Sequence, residues 1–138
     1  MALIPEIFEA INPIRGWLAY FQNRRDTLRA EEKSALRALY VAANETRLYF
    51  RRLNHENRMA AHRQTPPPER NISKEEELSR LWLEASIEMR NFNMELAERC
   101  FVKGGYWADP DAWSDRDIVR ANISLDNIFR EARELLSS

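Results

Sequence analysis

The stretch SKEEELSRLWLEASIEMRNFNMELAERCFVKGG, residues 73–105, carries the strongest structural signal in the chain. Its apolar residues recur every three or four positions, which is the spacing of an amphipathic helix. They are Leu78, Leu81, Trp82, Ala85, Met89, Phe92, Leu96 and Cys100. A second apolar row, made of Leu83, Ile87, Met94 and Phe101, flanks the first. The pattern predicts one long central helix with apolar contacts on more than one side.

Both ends of this predicted helix have recognisable signals. Ser73 is followed three residues later by Glu76, which fits a capping box at a helix start. Lys103 and the pair Gly104 and Gly105 stand at the other end, where a basic residue and a flexible cap suit the negative end of the helix dipole. We therefore expect the helix to close at the glycine pair.

The same periodicity predicts helices on either side of this one. A helix starts near Ala30 and reaches His62 or beyond, until the proline-rich connection QTPPPERN, residues 64–71, stops it. Another starts at Ser114, and residues 4–11 and 13–28 predict a short and a longer helix near the N-terminus. The expected fold is all-α: a single-domain antiparallel bundle over residues 1–138, with about four main helices and a short extra N-terminal one.

Composition agrees with a folded, single-domain protein. The chain has 138 residues, of which 44% are hydrophobic and 31% charged, and these proportions are ordinary for a globular domain. The net charge is −1, although residues 1–70 carry +4 and residues 71–138 carry −5. The opening residues lack the pattern of a signal peptide, and no apolar run is long enough to cross a membrane. We expect a cytoplasmic protein without a membrane partner.

Several kinds of chemistry lack the residues that they need. No glutamate stands three residues before a histidine, as a di-iron bundle requires, and His55 and His62 have no cysteine nearby to complete a zinc site. The only glycines are at 16, 104 and 105, so no phosphate-binding loop or dinucleotide fingerprint is present. Cys100, on the apolar stripe, is expected to be a buried and inert thiol. We predict no catalytic residue, no metal and no cofactor.

The segment GGYWADPDAWSD, residues 104–115, places three aromatic residues in a connection where small polar residues are usual. Tyr106, Trp107 and Trp113 are predicted to anchor a protein partner, because tryptophan and tyrosine are enriched in interface hot spots. In the alternative interpretation the segment is a lid, and at least one of the rings folds back over the open end of the bundle.

A row of basic residues follows the helix predicted from Ala30. Arg47, Arg51, His55, Arg58 and His62 are spaced by three or four residues, so they share one face of a continuous helix, called here the basic stripe. Such a stripe is able to contact the phosphates of a nucleic acid. In the alternative interpretation it is a solvated face, or one paired with the glutamates of the central helix.

An arginine and histidine pair on a helical bundle invites comparison with HEPN-type ribonucleases. Only the helical architecture is similar, because Arg51 and His55, like Arg58 and His62, stand closer together than the pair in that family's motif. No catalytic assignment is carried over from the comparison.

Taken together, these patterns predict an interaction module rather than an enzyme. The expected function is that of an accessory or regulatory subunit of a larger assembly, with another protein or a second copy as partner. The alternative is a nucleic-acid-binding, RNA-cleaving protein that uses the basic stripe.

Overall fold

The structure is a computed structural model that describes residues 27–137 of the chain. Within that range the α-helices are α1 (Ala30–Arg63), α2 (Ile72–Met89), α3 (Met94–Ala108), α4 (Asp115–Ala121) and α5 (Leu125–Ser137), with a 3-10 turn at Pro110–Ala112. None of the described residues forms a β-strand, so the all-α prediction is confirmed. The helix predicted over residues 4–11, and nearly all of that over 13–28, lies outside the described residues.

Helix α1 is the longest described element, and its predicted ends are confirmed. At its start, the Glu32 carboxylate accepts hydrogen bonds from the Arg29 backbone N–H at 3.4 Å and from the Arg29 Nε at 2.8 Å. At its end, Gln64 adopts the left-handed conformation, with φ of 57°, and donates its backbone N–H to Ala61. Prolines follow at 66–68, where they leave no backbone donor to continue the helix.

The prediction of one long central helix is wrong, because the chain turns between Met89 and Met94. The Asn93 side chain accepts a hydrogen bond from the Leu96 backbone N–H at 2.9 Å and caps a new helix. The Phe92 and Asn93 N–H groups donate back to the Met89 carbonyl and close the turn. The apolar stripe is therefore divided between α2 and α3, which form an antiparallel hairpin. Helix α2 also starts two residues earlier than predicted, with Asn71 rather than Ser73 as its cap.

Gly104 lies within α3 and not at a helix end, which corrects the predicted glycine cap. A Cβ atom there would lie 2.7 Å from the Leu83 Cδ2 and 3.2 Å from the Ser79 carbonyl oxygen. The Ser79 hydroxyl also donates to the Gly104 carbonyl at 2.7 Å. Glycine is needed at this position because the backbone of α3 approaches α2 closely. Gly105 also lies within α3, but open space surrounds the position of its missing Cβ.

Polar contacts position the other helices around the hairpin. Helix α2 runs antiparallel to the first half of α1, with the Ser34 hydroxyl donating to Glu88 near one end and Lys74 paired with Glu45 near the other. Between them, the Trp82 indole donates to the buried Thr46 hydroxyl at 2.9 Å. Helix α5 packs on α3 through the Arg99 to Glu131 ion pair at 2.6 Å. The core between these elements contains Leu36, Leu39, Phe50, Trp82, Trp107 and Phe129.

The predicted start of the last helix is confirmed, but the helix is divided in two. Ser114 and Asp117 form a reciprocal capping box at the start of α4. Asn122 then ends α4 in the left-handed conformation, with φ of 54°. Asparagine tolerates this conformation better than most residues, which explains why the chain breaks there before α5.

The two glycines of α3 should respond oppositely to substitution. We expect Gly104→Ala to lower the free energy of unfolding by about 1 kcal/mol, because the new methyl group crowds Leu83 and the Ser79 carbonyl. We expect Gly105→Ala to raise it by about 0.5 to 1 kcal/mol, because alanine stabilises a helix interior and meets no neighbour. Urea denaturation of both variants would measure the difference, and equal effects would contradict the close approach at Gly104.

Candidate functional site

The aromatic segment predicted as a partner anchor is largely buried. Tyr106 and Trp107 lie on the inner face of the last turn of α3 and are almost inaccessible to solvent. The Trp107 ring packs against Phe50, Tyr49 and Tyr106, with centroids between 5.0 and 5.8 Å apart. The burial of at least one ring, which the lid interpretation predicted, is observed, but Tyr106 and Trp107 belong to α3 itself and not to a connection that folds over the end of the bundle. Buried rings offer no surface to a partner in this conformation.

Trp113 is the one member of the three predicted anchors that keeps exposed area. It follows the 3-10 turn and packs edge-on against Tyr106, with the centroids 5.8 Å apart. Its outer side borders a shallow surface groove of about 350 Å³ that Asp117 and Arg120 also line. A contact through this segment is therefore limited to Trp113 and its neighbours, and such a contact remains a prediction.

A buried polar cluster lies beneath the aromatic segment, and the sequence did not identify it. The Glu75 carboxylate is 2% exposed and accepts a hydrogen bond from the Tyr49 hydroxyl at 2.5 Å. The Arg70 guanidinium lies 3.5 Å from the same carboxylate oxygen and donates to Asp111 at 2.7 Å. Arg70 therefore connects the proline-rich segment to the 3-10 turn. Burial and the Glu75 hydrogen bond raise the pKa of Tyr49, so this phenol stays protonated.

Two buried polar atoms beside this cluster have no hydrogen-bond partner among residues 27–137. They are the second carboxylate oxygen of Glu75 and the indole nitrogen of Trp107. Both residues contact Tyr49, one through its hydroxyl and one through its ring.

Lys103 was expected to close a helix beside its glycine cap, but it lies within α3 and is fully buried. Its amine donates to the Ile123 carbonyl at 2.6 Å and lies 5.4 Å from the centre of the Trp82 ring. Burial lowers the pKa of this lysine well below its ordinary value. The lysine ties α3 to the turn between α4 and α5. In the sequence, a basic residue before two glycines had indicated the end of a helix.

The basic stripe occupies the side of α1 that faces away from the core. Arg51, His55, Arg58 and His62 are all exposed, whereas Leu53 and Ala60, on the opposite side of the same turns, are buried. Arg47, at the start of the stripe, is half-buried and donates to Asn44 at 2.9 Å. The helix therefore presents the four exposed side chains in one line, as the spacing predicts.

The stripe is not paired with the glutamates of the predicted central helix. Among the described residues, the ion pairs between α1 and α2 are confined to Lys74 with Glu45, in which the basic residue comes from α2. No ion pair within residues 27–137 involves Arg51, Arg58 or the two histidines. The acid-paired interpretation therefore fails for the part of the chain that the structure describes. Arg51, His55, Arg58 and His62, the four exposed members of the stripe, are therefore solvated.

The second apolar row lies on the outer side of the hairpin seam. Leu83 meets Gly104 across the seam, Ile87 lies one turn further along α2, and Phe101 lies one turn back along α3. Antiparallel packing therefore brings Ile87 and Phe101 to the same level, with Met94 two turns before Phe101. Ile87, Met94 and Phe101 are 61%, 66% and 54% exposed. We call Leu83, Ile87, Met94 and Phe101 the apolar row.

The described residues offer little to a metal ion or a covalent mechanism. They contain no group of three or more histidine, cysteine, aspartate or glutamate side chains placed to hold a metal. Burial raises the pKa of the Cys100 thiol to about 12, so it holds its proton and is a poor nucleophile. Within the described range, no helix is both long and apolar enough to span a bilayer.

Comparison of the chain with protein-family models, with curated proteins and with solved structures found no match. The basic stripe, the apolar row and the groove beside Trp113 are therefore interpreted from their own geometry.

The two tryptophans of the aromatic segment should differ in their effect on stability. We expect Trp107→Ala to lower the free energy of unfolding by about 3 to 5 kcal/mol, because it empties a fully enclosed site. We expect Trp113→Ala to cost less than about 2 kcal/mol, because its ring is only partly buried at the edge of the core. Chemical denaturation would measure both, and equal losses would contradict the separation of core from surface within this segment.

Lys103 should make stability depend on pH. The unfolded chain binds the lysine proton with a pKa near 10.5, whereas burial lowers the pKa in the folded protein. The unfolded state therefore binds more protons between these two values, and lowering the pH through that window destabilises the wild type by up to about 1.4 kcal/mol per unit.

Lys103→Met removes this titration, so the variant should gain stability relative to the wild type as the pH falls. Comparing the two proteins at pH values from about 9 down to about 6 isolates the titration of Lys103, because the tyrosines and the cysteine are present in both proteins and their contributions cancel in the difference. A stability difference that stays constant over that range would show that Lys103 keeps an ordinary pKa.

Proposed function

We propose that the protein is a helical interaction module that acts as an accessory or regulatory subunit of a larger protein assembly. The observation that carries this proposal is the apolar row on the α2–α3 hairpin. Three large apolar side chains, each more than half exposed, lie along one seam formed by two helices. Single exposed apolar residues are common on protein surfaces, but a contiguous row is a feature of interaction sites.

The surroundings of the row support a helical segment of another protein as the partner. Gly105 and Ala108 face the same side of α3 as Phe101, and both are exposed. Gly105 has no neighbour that would exclude a side chain, so the packing of this chain does not require a glycine there. Small residues beside large apolar ones allow the backbone of a partner to approach closely, while Ile87, Met94 and Phe101 supply the apolar contact.

The buried positions of Tyr106 and Trp107 change how the proposal is supported. The rings of Tyr106 and Trp107 belong to the core beneath the last turn of the hairpin. The proposed contact with the partner uses the outer surface of the hairpin instead. Trp113 extends this contact only if the partner also reaches the groove beside α4.

The row can be tested with one substitution and a matched control. We expect Phe101→Glu to abolish a stoichiometric complex purified from the native host after nuclease treatment, because it places a charge at the centre of an apolar contact. Val119→Glu is the control, since Val119 is 71% exposed and lies on α4, away from the row. Quantitative mass spectrometry of the purified complexes would measure the loss.

Both substituted side chains are exposed, so the melting temperature should stay close to that of the wild type in each variant. Retention of the same partner by Phe101→Glu would contradict the proposal. Equal loss with Val119→Glu would contradict the assignment of the contact to the row.

A further inference from the structure

We infer that the outer face of α1 binds the phosphate backbone of a nucleic-acid duplex, as a second activity beside the protein contact. The inference rests on the distribution of charge along α1 and on the exposure of its arginines. It does not depend on the apolar row, which lies on a different pair of helices.

The basic stripe is part of a longer face of α1 that carries no acidic residue. Arg37, exposed in the first half of α1, projects from the same side of the helix as Arg51 and Arg58. From Arg37 to His62 this face extends for about 37 Å at 1.5 Å per residue. The acids of α1 all lie roughly a quarter of a turn or more from its centre; they are Glu31, Glu32, Glu45 and Glu56.

The second half of α1 has the local surroundings that a phosphate site needs. Arg51, Arg52, His55 and Arg58 line a shallow groove of about 490 Å³ together with Leu48. The three arginines are exposed, and within residues 27–137 none of them forms an ion pair with an acid. Guanidinium groups bind phosphate oxygens through paired hydrogen bonds, and no competing carboxylate has to be displaced first.

The shape of the face favours a duplex over other anionic partners. A membrane surface would require α1 to bury an apolar side in the bilayer, but the apolar side of α1 is already buried in the protein core. A single strand is usually held by aromatic rings that stack on its bases, and residues 47–62 of this face offer arginine and histidine instead. A straight line of positive charge suits the regular phosphates of a duplex, and contact with the backbone alone carries no sequence preference.

The test uses the full-length protein and a fluorescent duplex of mixed sequence. We expect binding that weakens steeply with salt, since each arginine that contacts a phosphate releases counterions. We expect the double variant Arg51→Ala with Arg58→Ala to bind at least about tenfold more weakly. Its plot of log association constant against log salt should be shallower by about two, or one for each arginine removed.

A matched double variant separates this face from net charge. Arg80→Ala with Arg116→Ala removes the same two charges from exposed positions on α2 and α4, and we expect its affinity and salt slope to remain those of the wild type. Equal weakening of both double variants would overturn the inference, as would the absence of duplex binding by the wild type at low salt. Tighter binding to a single strand of the same sequence would overturn the assignment to a duplex.

Discussion

The buried carboxylate of Glu75 is the constraint on which the connections of this fold depend. Burying a carboxylate costs free energy unless polar groups surround it. The polar groups around Glu75 come from separate parts of the chain. Tyr49 donates from α1, and Arg70 approaches from the proline-rich segment. Arg70 in turn binds Asp111 of the 3-10 turn. One acid in the first turn of α2 thus links the middle of α1, the proline-rich segment and the 3-10 turn that follows α3.

Hydrophobic contacts pack the helices together around this polar cluster. Trp107 lies against Tyr49 and Phe50, so the end of α3 is held over the middle of α1. The close approach at Gly104 brings α2 and α3 together on one side, and Lys103 ties α3 to the turn before α5 on the other. The inner surfaces of these helices are occupied in this way, so the two candidate contact surfaces lie on the outside of the hairpin and on the outside of α1.

The sequence predicted the helix ends that depend on residues close to them in the chain. The start of α1 near Ala30, its end before the prolines, and the Ser114 capping box all follow from residues within one turn of the boundary. The turn at Asn93 was missed because no glycine or proline marks it and the apolar spacing continues through Phe92. The burial of Glu75 and Lys103 was missed for another reason. Their partners, Tyr49 and Ile123, stand 26 and 20 residues away, so only the tertiary fold brings them together.

The burial of Lys103 also limits how the protein can be modified. The sequence contains only three lysines, at 33, 74 and 103, and its other basic side chains are arginine and histidine. Lys103 is enclosed and Lys74 is engaged with Glu45 and Glu77, so a reagent or an enzyme directed at lysine amines meets few accessible targets on the folded chain. Acylation, cross-linking or conjugation of a modifier protein at a lysine side chain would therefore favour Lys33, which is partly exposed on the first half of α1 and forms no ion pair within residues 27–137.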